Sequence, residues 1–97
     1  MADFDFTSIQ ARIPTPAIFE QLAEECTELA HAALKVARTY RKENPTPVTM
    51  TEAVRSVYEE FTDVMTVANV IGLKVDDLAM EGKLDRWYQR LEEHNGR

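Results

Sequence analysis

Cysteine is nearly missing from this chain: its 97 residues include one, Cys26. A lone thiol cannot close an internal disulfide or furnish a cysteine-rich zinc site. It fits a reducing compartment, and the cytoplasm is the expected location. Glycine is scarce, at three residues, and proline numbers four, which excludes collagen-like and low-complexity classes. Basic residues are outnumbered 11 to 17 by acidic ones, for a net charge of −6. That deficit argues against nucleic acid, which is bound through basic patches, and against an anionic membrane surface. No apolar run approaches the ~20 residues needed to span a bilayer. The opening Met1-Ala2-Asp3-Phe4-Asp5-Phe6 has no basic region followed by an apolar stretch, so it does not read as a signal peptide.

What is present is helical periodicity. The length accommodates one domain, residues 1–97. Thr7-Ser8-Ile9-Gln10 has the form of a capping box and predicts a short helix ending before Pro14. Thr15-Pro16 supplies a cap residue followed by a first-turn proline. From there Phe19, Leu22, Ala23, Cys26, Leu29, Ala30, Ala33, Leu34, Ala37 and Tyr40 recur at steps of three and four, the apolar stripe of a long helix. Arg38, Arg41 and Lys42 carry the sign favoured in its last turn. Asn44-Pro45-Thr46-Pro47 breaks it. Thr49-Met50-Thr51-Glu52 is a second capping box, and Gly72 fits the residue that closes the helix it opens. Ala53, Val57, Phe61, Val64, Met65, Ala68 and Ile71 form that helix's stripe. Asp76 or Asp77 caps a third long helix, with Leu78, Leu84, Trp87 and Leu91 on its inner face and Gly82 marking a possible kink. The expected fold is all-α: three main helices plus a short N-terminal one. Three wide stripes make an incomplete bundle, so a four-helix core completed by dimerisation is expected.

The chemistry is concentrated in two acidic clusters, Glu24-Glu25-Cys26-Thr27-Glu28 and Glu59-Glu60-Phe61-Thr62-Asp63. Each contains E-E-x-x-(E/D). Acids three apart share a helix face with Cβ atoms ~5–6 Å apart, and such like-charged pairs destabilise an isolated helix. Compensation can come from a hard divalent cation, because magnesium prefers carboxylate oxygens and leaves positions for waters and substrate phosphates. Oxygen-only ligation favours Mg²⁺, with Mn²⁺ as a substitute, over zinc. A solvated acidic face is the plainer reading of either cluster alone; the pairing on successive helices argues against it.

These motifs resemble the E-x-x-E … E-x-x-D signature of the MazG-like, all-α nucleoside triphosphate pyrophosphohydrolases. The similarity extends to Gln21-Leu22-Ala23 before the first motif, to Val70-Ile71-Gly72-Leu73 after the second, and to Lys83-Leu84-Asp85-Arg86-Trp87. It covers roughly residues 16–92, as in small bacterial and phage-type members. The resemblance implies an enzyme that splits a nucleoside triphosphate into the monophosphate and pyrophosphate, working as a homodimer or homotetramer. It points to Glu25, Glu28, Glu60 and Asp63 as metal ligands. Glu24 and Glu59 are the extra acids, fit for an outer contact, a second ion or a base. It does not select base or sugar, α or β phosphorus, or one ion over two.

Basic and polar residues nearby are candidates for the substrate. Lys83 and Arg86 share a face of the last helix with Arg90 and suit the triphosphate. Lys35 follows Glu28 by seven residues, close to the same face, and Asn69 follows Asp63 by six. His31 is a weaker candidate, since carboxylates suffice for the cation. Tyr58, Phe19, Trp87 and Tyr88 are able to stack on a base, although Trp87 continues the Leu84/Leu91 stripe and reads as core. Cys26 reads as a packed small hydrophobe. Two other readings stand beside this one: a non-catalytic helical dimerisation or regulatory module, and a relative acting on dUTP, dCTP or phosphoribosyl-ATP.

Overall fold

A computed structural model describes residues 6–42 and 48–95. Four helices follow in order: α1 (Phe6–Arg12), α2 (Thr15–Arg41), α3 (Met50–Ile71) and α4 (Asp77–Asn95). There is no strand among the described residues. The Asn44–Pro47 break lies outside the described residues, and α2 ends before it.

Local chemistry sets most helix ends. Thr49 caps α3 through its side-chain oxygen, which accepts from the Glu52 N–H at 3.2 Å. Gly72 ends the helix in the left-handed region at φ 87°, where a Cβ is penalised. Its N–H and that of Leu73 both reach the Ala68 carbonyl. Asp76 caps α4, accepting from the Ala79 N–H at 3.0 Å. Helix α4 runs through Gly82 uninterrupted. Replacing Thr49 with Ala removes one cap bond and is expected to cost about 1 kcal/mol. Urea unfolding of T49A measures that loss.

Two starts differ from expectation. Thr15 is the first helical residue of α2 rather than its cap; Pro14 takes the cap position without a side-chain bond. The Pro14 carbonyl accepts from Ala17 and Ile18, so the ladder begins one residue earlier. Helix α1 begins at Phe6, which places Thr7–Gln10 inside it. Gln10 does not close a box; its amide donates to the Val70 carbonyl and ties α1 to the end of α3.

Helices α2 and α3 form the main packed pair, with α1 resting on α3. Gln21 meets Thr66 and Val70 around one cleft, Glu25 meets Glu60 and Asp63, and Lys35 meets Ser56 around another. The opposite order of these partners makes α2 and α3 an antiparallel hairpin. Its core is thin: Ile18, Ala32, Ala53, Ala68 and Val70 are buried. Alanine at three of those positions lets the helices approach closely, but little apolar area is hidden.

The expected inner face of α4 is not inside this chain. Leu78 is 82% exposed, Trp87 62% and Leu84 55%, and no residue of α4 is buried. Trp87 is therefore not a core residue of the single chain. Cys26 is likewise exposed rather than packed. Phe19, Leu34, Tyr40 and Phe61 extend the same exposure onto α2 and α3. The physical reason is geometric. An antiparallel pair covers only one side of each stripe, and α4 has no comparable packing against the other helices. The radius of gyration is 17.9 Å, against ~13 Å for a compact domain of this length. The surface of 8208 Å² exceeds the ~5,700 Å² expected of a compact monomer of this mass. No helix among the described residues is long and apolar enough to cross a membrane.

Candidate functional site

The middle of the hairpin is acidic where a core would normally be apolar. One oxygen from each of Glu25, Glu60 and Asp63 lies within 4.8 Å of the others. Glu25 comes from α2; Glu60 and Asp63, three residues apart on α3, face it together. Glu25 and Glu60 are half-buried and Asp63 is exposed, so the cluster opens to solvent on one side. Gln21, one turn before Glu25, donates from its amide to Glu25 Oε1 at 2.7 Å and holds that carboxylate in place.

Two of the acids carry an unmet demand. Glu25 Oε2 and Glu60 Oε2 are shielded from water and have no hydrogen-bond partner. A shielded carboxylate oxygen without a donor is costly, and like charges beside it raise that cost. Desolvation pushes the Glu60 carboxyl above its ordinary value, with further contributions from the Glu28 charge, a hydrogen bond to Glu28, and the charges of Asp63 and Glu25.

This shift has a defined consequence for stability. Folded Glu60 keeps its proton to a higher pH than the unfolded chain, whose value is the ordinary 4.5. The folded state binds more protons across the window that starts at 4.5 and extends to the raised value. Stability from this group is therefore fully present below that window and is lost as pH rises through it. With divalent ions chelated, unfolding titrations of the wild type should show stability falling as pH rises above 4.5, and Glu60→Gln should flatten the fall. An identical slope in E60Q would contradict the assignment.

The donor set suits a hard cation. Oxygens around one magnesium at ~2.1 Å lie about 3 Å apart when adjacent and about 4.2 Å apart when opposite, so three oxygens within 4.8 Å of one another are near enough to draw in around one ion. All three donors are carboxylate oxygens, which favour magnesium or manganese. A cation among these carboxylates would offset the repulsion at Glu60.

The four expected ligands divide. Glu25, Glu60 and Asp63 converge, whereas Glu28 is adjacent to Glu60 but outside the group of three. Glu24 and Glu59 are exposed and join no such group among the described residues. Lys35 lies in a polar cleft with Glu28 and Glu60. Asn69 is exposed near the end of α3, where its carbonyl accepts from Gly72. Lys83 and Arg86 sit on α4, away from this hairpin, with Arg86 folded back near Gly82.

Two clefts flank the acids. One, of about 300 Å³, is lined by Glu28, His31, Lys35, Arg38, Ser56 and Glu60 among others. The second, of about 230 Å³, is apolar and is walled by Ile9, Ile13, Ile18, Val67 and Val70, with Gln21 and Thr66 as its polar members. Sequence reasoning assigned Arg38 only to the helix end. Its membership of the polar cleft was signalled by the row Glu28, His31, Lys35 and Arg38, which repeats at steps of three and four. No known protein family, curated protein or solved structure shows a match to this chain.

Proposed function

We propose that this protein is a Mg²⁺-dependent nucleoside triphosphate pyrophosphohydrolase. The observation that carries the reading is the convergence of Glu25, Glu60 and Asp63, two of them with shielded oxygens that lack a donor. The paired motifs that bring these acids together are also those that resemble the MazG-like enzymes. Glu25, Glu60 and Asp63 would hold the cation, with Glu28 next to it. When bound, a divalent cation offsets charge on phosphate oxygens and lowers the pKa of a coordinated water. Gln21 orients Glu25 through its amide. Glu28, beside Glu60 on the wall of the polar cleft, would accept the proton of the attacking water.

The order of surfaces along the hairpin fits a nucleotide. An apolar cleft, an acidic centre and a cleft with basic residues follow one another. A nucleoside triphosphate has the same order: base and sugar, then the phosphates. The reaction exchanges one P–O bond between the α and β phosphates for a bond to water oxygen, releasing monophosphate and pyrophosphate.

Exposed apolar faces on α4 and on the outside of the hairpin supply the reading's second part, a homodimer or homotetramer. Lys83 and Arg86 would approach substrate only in such an assembly. The test is a panel of canonical and modified NTPs and dNTPs with Mg²⁺, scored for pyrophosphate.

A further inference from the structure

The polar cleft beside the acids holds an arrangement that the metal site alone does not explain. Lys35 and Arg38 line it together with Glu28 and Glu60. Cations and carboxylates in one cleft ordinarily pair within 4 Å, yet the charged heads of Lys35 and Arg38 have no hydrogen-bond or ion-pair partner among the described residues. Both side chains are half-buried, so neither is a freely waving surface charge. Helical side chains lean toward the N-terminus of their helix. On α2 that direction leads from Lys35 and Arg38 back toward His31 and Glu28, and so toward the acidic centre.

Two charges of each sign thus line one gap of about 300 Å³ without meeting. That volume is at the lower bound for small-molecule sites. The complementary occupant carries a cation at one end for the carboxylates and anionic oxygens at the other for Lys35 and Arg38. A metal-bound polyphosphate has that form. Guanidinium and ammonium both bind phosphate, the first as a fork and the second as a point charge. His31, on the same wall, adds an imidazole as a hydrogen-bond donor, while the Ser56 hydroxyl beside it already donates to the Glu52 carbonyl at 3.2 Å.

We infer that Lys35 and Arg38, with His31, form the subsite for the terminal phosphates of the substrate, the part that leaves as pyrophosphate. This rests on the reading of the acids as a metal site for a triphosphate. It fixes the direction of the ligand: terminal phosphates toward the α2 C-terminus, nucleoside toward Gln21 and the apolar cleft.

The test titrates pyrophosphate, and separately a non-hydrolysable nucleoside triphosphate, into the full chain in Mg²⁺ by calorimetry. Lys35→Met and Arg38→Met keep the aliphatic stems and remove the charges. Each should weaken both ligands about 10- to 100-fold, the range for a lost charged hydrogen bond. Mg²⁺ alone should bind both variants as it binds wild type, and Lys35→Arg should retain most of the affinity. In wild type, where no variant needs to fold, pyrophosphate should shift the ring-proton NMR signals of His31 and leave those of His94 in place. Undiminished affinity in K35M and R38M, or an unmoved His31 signal at saturation, overturns the subsite and leaves the metal reading standing. Failure of wild type to bind Mg²⁺ at all overturns the reading beneath it.

Discussion

Glu60→Gln should lose Mg²⁺-dependent hydrolysis by on the order of 100-fold or more, since even outer partners of a metal site are worth 10- to 100-fold. Glu25→Gln should behave in the same way, because Glu25 and Glu60 both belong to the cluster and each has an oxygen without a hydrogen-bond partner. The diagnostic feature is the opposite sign of the two effects in E60Q. Removing the carboxylate relieves desolvation and the repulsion from Glu28, Asp63 and Glu25. The variant should therefore be more stable than wild type in chelator at neutral pH while being almost inactive in Mg²⁺. A residue that only supported the fold would lose stability and activity together. Glu20→Gln serves as the control. Glu20 is exposed on α2 and outside the cluster, so its rate should stay within about twofold of wild type, as expected for a surface change. Steady-state kinetics beside urea unfolding in EDTA measures both quantities.

Trp87→Asp and Leu84→Asp should break the proposed assembly. Both side chains are more than half exposed in the single chain, and a carboxylate at the centre of an apolar interface costs about 2–4 kcal/mol or more. Wild type should elute and scatter light at two or four times the mass of the 11.1 kDa chain. The variants should move toward monomer. Because the hairpin hides so few side chains, they should also lose helicity and become sensitive to dilution, as an obligate oligomer does. A wild type that stays monomeric and fully helical at micromolar concentration would contradict this. Aspartate at Lys74, exposed in the loop before α4, should leave the mass unchanged.

These two effects mark where the sequence was readable. Helix ends were legible where a side chain decides them locally: the Thr49 box, Gly72 and Asp76 all act within four residues of themselves. Thr15 and Gln10 were misplaced because more distant groups took over, the Pro14 carbonyl in one case and the Val70 carbonyl in the other. The α3 stripe meets the core at Ala53 and Ala68, but the buried residues of α2 are Ile18 and Ala32, neither of them in its expected stripe, and most of that stripe is exposed. Periodicity reports that a face is apolar, not whether its cover belongs to the same chain, and so Trp87 and Leu84 were placed inside.

The acidic site followed the same logic. Spacing of three brought Glu60 and Asp63 to one face, and an antiparallel partner brought Glu25 to meet them. Glu28 shares that motif, yet its position beside Glu60 depends on the rotation of α2 against α3, which no spacing encodes. Arg38 was hidden behind a simpler explanation, the preference for cations at helix ends. Lys83 and Arg86 lie on the helix whose placement is the least determined by this chain.

If the acids at the middle of the hairpin serve a metal-dependent cleavage of nucleoside triphosphates, products should appear only with a divalent cation. Wild type is incubated with a set of NTPs and dNTPs, in Mg²⁺ and in EDTA, and pyrophosphate and monophosphate are assayed together. Equal amounts of the two products are expected with Mg²⁺ for at least one substrate, and none in EDTA. Equal turnover in EDTA, or release of orthophosphate instead of pyrophosphate, would contradict it.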